Sequence, residues 1–194
     1  MCRRSNVAQL TMPSTSIGYD EVGVARCEQI LQYHFKNKFL CIEAISTIKR
    51  SIKMNDGQSV EVQDNLAMAV LGYTQMASVL CRIWWETGRR KRGERVAGDL
   101  DIVVKAKLNN KALGRLGKEM DIHRYIINTS APFSCFTGDS EAKDKVVAET
   151  MRAIFGAVYL DGRGDELEQT MRRLKFDQHE LLEVKVPRFG HGKI

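Results

Sequence analysis

The chain has 194 residues, 43% of them hydrophobic and 28% charged, and a formal net charge of +6. That length suits one ordinary domain able to bury a core without disulfide or metal staples, and the composition excludes a fully disordered chain. The charge is concentrated: between Arg82 and Lys118 stand eleven basic and four acidic residues, a window of +7, while the other 157 residues sum to −1. Such a surplus points to an anionic partner, nucleic acid first.

Residues 1–19 hold Arg3 and Arg4, several Ser and Thr and no acid, which faintly resembles a mitochondrial presequence but reads more simply as a flexible basic tail. From Val22 to Tyr33 the apolar residues Val24, Cys27, Ile30 and Leu31 recur at three- and four-residue steps, which predicts a helix with one apolar face. A shorter helix is expected over Leu40 to Ile48, then a turn at Asn55-Asp56-Gly57. The next helix runs from about Val62 to Trp85. Its charge-free stretch, Asn65 to Cys81, is too short and too polar for a membrane span and suits a core helix, so no membrane partner is expected.

Gly88-Arg89-Arg90-Lys91-Arg92-Gly93 is a glycine-bracketed basic loop. Helices follow from Gly98 to Leu108 and from Lys111 to Met120, then a loop over Ser134 to Ser140. The helix over Glu141 to Leu160 places Val147, Met151, Ile154, Phe155 and Val158 on one face, with Ala153, Gly156 and Ala157 small enough for close helix approach. Asp161-Gly162 is expected to end it, a last helix covers Glu166 to Leu174, and residues 177–194, with Pro187, Gly190 and Gly192, form a fraying tail. Nothing alternates at period two for more than a few residues, so the fold class is all-α.

The five cysteines (Cys2, Cys27, Cys41, Cys81 and Cys135) form no CxxC pair and have no histidine at ligand spacing. Reduced intracellular thiols and no structural zinc are expected. His34, His123, His179 and His191 are scattered and receive no catalytic role, and no cofactor is expected.

Two segments resemble the paired signature helices of the ribonuclease III endonuclease domain. The family pattern Asn-Glu-x-Leu-Glu-x-Leu-Gly-Asp overlays residues 65–73 without a gap, matching at Asn65, Leu71 and Gly72. The later pattern Asp-x-x-Glu-Ala-x-x-Gly-Ala-x-Tyr-Leu-Asp-Gly overlays residues 149–162, matching at Ala153, Gly156, Ala157, Tyr159, Leu160, Asp161 and Gly162. The segment from Cys27 through Leu40, Glu43 and Ala44 resembles that domain's opening helices. The resemblance covers about residues 20–175, and it is nearest to short, stand-alone ribonuclease III-like proteins of filamentous fungi. It implies a helical bundle over residues 20–176, between tails 1–19 and 177–194. Too few residues follow the last helix for the family's usual double-stranded-RNA-binding module.

The family cleaves phosphodiesters with divalent metal ions, hard cations that take oxygen ligands from carboxylates on these two helices. Here the first carboxylate pair falls on Ala69 and Tyr73, the extra glutamate on Leu66, and the second pair on Glu149 and Arg152. Three of four ligand positions are lost, one with inverted sign, which implies a pseudoenzyme with no metal. Arg152 has three readings: a partner for Glu149, a phosphate contact, or a solvated side chain.

The resemblance also implies double-stranded RNA as partner, read through phosphates and shape rather than base edges. The expected contacts are Arg89, Arg90, Lys91, Arg92, Arg95, Lys105, Lys107, Lys111, Arg115 and Arg152. The loop from Arg89 to Arg92 reads equally as a nuclear-import signal or a solvated loop. The family works as a homodimer, and its interface implies Met68, Val70, Met76 and Ala77 as the dimer face, with Val70 where the family often has Phe. The expected function is a catalytically inactive, homodimeric protein that shields duplex RNA from, or modulates, an active ribonuclease III or Dicer in RNA silencing, in the cytoplasm or nucleus. Two alternatives stand beside it: a structural protein of the mitochondrial large ribosomal subunit, and a metal-dependent endonuclease with a site rearranged around Glu149, Asp144 and Asp161.

Overall fold

The three- and four-residue apolar spacing becomes six α-helices in a computed structural model, which describes residues 19–53, 58–87, 98–128 and 140–183. They are α1 (Tyr19–Leu31), α2 (Lys38–Ala44), α3 (Leu66–Glu86), α4 (Asp99–Leu108), α5 (Asn110–Glu119) and α6 (Ser140–Arg173). The all-α class holds, with one addition. A two-stranded antiparallel hairpin, β1 (Arg50–Lys53) and β2 (Ser59–Val62), pairs Arg50 with Val62 and Lys53 with Ser59. Four-residue strands are too short to show a period-two signal, and Val62, assigned from the sequence to the long helix, is instead the hairpin's buried residue. The Asn55-Asp56-Gly57 turn lies outside the described residues.

The α3–α6 pair forms the centre, with α5 and α2 also packed on α6 and α4 on α3. By length and composition α3 could cross a membrane, but Ala69, Gly72, Met76, Val79, Leu80, Ile83 and Trp84 are buried within the protein. The predicted face of α6 is the core face: Val147, Met151, Ile154, Phe155 and Val158 are all at most 1% exposed. Cys27 of α1 and Cys41 of α2 are fully buried together, and hydrogen bonding to Cys27 with burial pushes the Cys41 thiol well above its ordinary pKa.

The expected stop at Asp161-Gly162 is a sharp kink at Arg163 (φ 68°, ψ −167°), after which the helix resumes to Arg173. Asp161 does more than end a helix. Its carboxylate accepts the Tyr33 hydroxyl (2.6 Å) and the backbone N–H groups of Lys36 (2.8 Å) and Asn37 (2.9 Å), clasping the α1–α2 connection. Gly162 leaves room for that clasp, since a Cβ there would lie 2.6 Å from the Tyr33 hydroxyl. The packed body also runs past the expected boundary at 176, because Leu182 is buried in the core.

Candidate functional site

The site is built where α3 crosses α6, and two glycines set how close that crossing is. A Cβ at Gly72 would overlap the Arg152 carbonyl oxygen, and one at Gly156 would lie 2.5 Å from the Met68 carbonyl oxygen. The helices therefore touch backbone to backbone. Asn65, fully buried at the start of α3, fixes their register: its Nδ2 donates to the Ala44 carbonyl (3.0 Å) and the Thr150 hydroxyl (3.3 Å). Beside the crossing lies a cavity of about 360 Å³ lined by Leu66, Ala69, Val70, Tyr73, Glu149 and Arg152. All five degenerate ligand positions thus share one wall-to-wall pocket, and its surface is largely apolar.

Arg152 faces the ring of Tyr73 at 5.6 Å, and its Nη2 donates to the Leu108 carbonyl (2.7 Å) and Asn110 Oδ1 (2.9 Å). One side chain of α6 therefore grips the junction between α4 and α5. Burial lowers the pKa of Arg152, while Glu149 and Tyr73 act in the opposite sense. The Arg152–Glu149 pair, one of the three readings of the sequence, is not what forms among the described residues. Glu149 pairs with Lys145 one turn earlier (4.0 Å), and Arg152 takes acceptors more than forty residues away in sequence.

Comparison with known proteins places this geometry. A sequence profile of the ribonuclease III domain matches residues 66–163, just over half of the chain and both helices of the crossing. The chain belongs to the ribonuclease III domain family. Ribonuclease 3 of mouse and of human are each 31% identical over 87 residues, a stretch that is 45% of this chain but 6% of those proteins. Two structures of the ribonuclease III nuclease domain from Campylobacter jejuni share the fold. One has a TM-score of 0.58 at 22% identity, covering 78% of this chain and 94% of that one. The other has a TM-score of 0.55 at 21% identity, covering 84% and 96%.

In a ribonuclease III domain the chemistry rests on oxygen ligands for divalent cations, and the residues present do not fit them. The cavity offers one carboxylate, Glu149, already beside Lys145, and sets a guanidinium where a second oxygen ligand would be needed. Among the described residues no three His, Cys, Asp or Glu side chains come together as a metal site. The acids considered for a rearranged site are engaged elsewhere: Asp161 in its clasp, and Asp144 with Lys118 (2.5 Å).

The basic residues are less free than their number suggests. Lys105 pairs with Asp101 (2.6 Å), Arg115 with Glu119 (3.7 Å), and half-buried Lys107 donates to the Lys175 carbonyl (3.3 Å). Lys111 is exposed on α5. Arg89, Arg90, Lys91, Arg92 and Arg95 lie outside the described residues, and so does more than half of the +7 surplus. Arg152, counted among the RNA contacts, has its Nη2 committed to Leu108 and Asn110 rather than to solvent.

The dimer face needs correction. Met76 is 0% exposed and belongs to the chain's own core, and Met68 and Ala77 are partly buried against that core. Val70 (69%), expected at that face, is exposed, and it stands between Leu66 (55%) and Tyr73 (42%) at helical spacing. The sequence marks Leu66 and Tyr73 as lost ligands; their i and i+7 spacing about Val70 is the signal that they also form a surface.

Proposed function

We propose that this ribonuclease III-family protein holds duplex RNA as a two-fold homodimer without cutting it, and so shields duplexes from an active ribonuclease III or Dicer. On this reading it acts in the cytoplasm or nucleus as a regulator of RNA processing and silencing. The observation that carries the proposal is the cavity at the α3–α6 crossing. The backbone approach and the Asn65 anchor are present, while Leu66, Ala69, Tyr73 and Arg152 line the pocket where metal-binding carboxylates would be required. A scaffold kept and a ligand set replaced fits binding better than hydrolysis. Dimerisation is supported by the exposed row Leu66, Val70 and Tyr73, and by the Campylobacter jejuni nuclease domain, described as having a region involved in dimer formation.

The test incubates a labelled RNA duplex with the protein in Mg²⁺ or Mn²⁺ and follows both gel shift and strand integrity across a salt series. Expected is a shift that weakens steeply with salt and no cleavage. Metal-dependent cuts, or no shift even at low salt, overturn the proposal.

A further inference from the structure

A second cavity, of about 240 Å³, shares no lining residue with the one at the α3–α6 crossing. It lies between the end of α4, the outer face of α5 and the turn after α6, and its wall carries Lys107, Arg115 and Lys175 against one acid, Glu119. The neighbouring backbone acceptors are already satisfied. Asn109 Nδ2 donates to the carbonyls of Lys105 (2.6 Å) and Ala106 (3.3 Å), Arg152 covers the Leu108 carbonyl, and Lys107 Nζ covers that of Lys175. The helix ends around the cavity therefore present few bare acceptors, and the ammonium groups keep donors to spare. Arg115 holds Glu119 only loosely, at 3.7 Å with both side chains well exposed. Lys107 is the least hydrated of the three cations, and its one hydrogen bond is to a neutral carbonyl. Burial lowers the Lys107 pKa and the Asp177 carboxylate offsets this only in part, so the ammonium remains partly desolvated, a cost that a bound anion relieves.

We infer that this cavity is a seat for one phosphate group, held by Lys107, Arg115 and Lys175 above the apolar floor of Leu116 and Phe176. The inference deepens the duplex-RNA reading: the phosphate is one of the RNA backbone, and the seat supplies a fixed contact point on the body of the domain rather than on a loop. Lys175 is the unforeseen member. It stands 57 residues beyond the basic window of the sequence and is brought to Lys107 only by the return of the chain after α6.

The seat is tested first without RNA. Pyrophosphate is titrated at low salt while the side-chain and amide resonances of Lys107, Arg115 and Lys175 are followed by NMR. Saturable shifts at these residues, weakened at least several-fold in Lys175→Ala and in Lys107→Met and restored in Lys107→Arg, support the seat; no saturable shift in the unaltered chain overturns it. Lys175 is exposed, so its variant folds even where Lys107→Met does not. With duplex RNA, Lys175→Ala is expected to lower the slope of log affinity against log salt by about 0.9, the loss of one phosphate contact on a duplex. An unchanged slope overturns the assignment to RNA. Should the duplex fail to bind at all, the proposed function falls while the pyrophosphate titration still decides the seat.

Discussion

Tyr33 keeps its proton beyond the ordinary tyrosine range, because burial disfavours the phenolate and the Asp161 carboxylate, accepting its hydroxyl at 2.6 Å, disfavours it further. The folded chain thus holds a proton that the unfolded chain releases near pH 10. The stabilisation is complete below that pH and is lost as pH rises toward the raised folded value. Thermal melts from pH 8 to 11 should therefore show a steeper fall in Tm above about pH 10 for the unaltered chain than for Tyr33→Phe. At neutral pH the variant should lose roughly 1.5–3 kcal/mol, the cost of one hydrogen bond to a charged group. Parallel curves above pH 10 would remove this account. At this scale the sequence was legible in part. Asp161 stood out as a helix terminator, but its partners lie 124 to 128 residues away, and no local pattern encodes that distance. Arg152 is similar: the loss of a ligand was visible, whereas its grip on Leu108 and Asn110 depends on how α4 and α5 return to α6.

Among the elements, the α3–α6 pair was the most legible, since Ala153, Gly156 and Ala157 mark a close approach and the large residues of α6 mark its buried face. What the pattern left out was how tight the contact is. Gly72 faces a backbone carbonyl rather than a side chain, so no rotamer change can make room for a methyl group. Gly72→Ala should cost at least roughly 1–3 kcal/mol by overpacking, a drop of several degrees in Tm. Gly98→Ala, where an added Cβ meets nothing within 4 Å, should stay within about 0.5 kcal/mol of the unaltered chain in the same thermal melts. Equal effects from the two would show that the crossing tolerates expansion. The β1–β2 hairpin was not legible, for the opposite reason. Its strands are four residues long and bury little besides Val62, so its stability comes from pairing and not from a recognisable face.

At the scale of the whole molecule, the question is what covers Leu66, Val70 and Tyr73. An apolar row on one helix is self-complementary about a two-fold axis, and burying it twice over is the simplest way to remove it from water. Val70 is the most exposed of the three and makes the sharpest probe. Val70→Glu should shift sedimentation equilibrium toward monomer by at least tenfold in dissociation constant, with the far-ultraviolet circular dichroism unchanged. A monomer in both cases, or a dimer insensitive to the change, would put the interface elsewhere. Among the described residues, the basic side chains of α4 and α5 form local pairs and a small group reaching across to Lys175.

The Asp161 clasp has a bearing on how the chain reaches this structure. Its three hydrogen bonds close a loop of more than 120 residues, so making them costs chain entropy that the local helical contacts do not. The recognisable family segment, residues 66–163, carries the acceptor while Tyr33, Lys36 and Asn37 carry the donors. Cut out alone, that segment would keep a carboxylate with nothing to hold and would bare the apolar ground on which Leu31, Ile42 and Ile45 rest. The segment that the family profile matches is therefore shorter than the packed body. Residues 19–65, which the profile leaves unmatched, complete its fold.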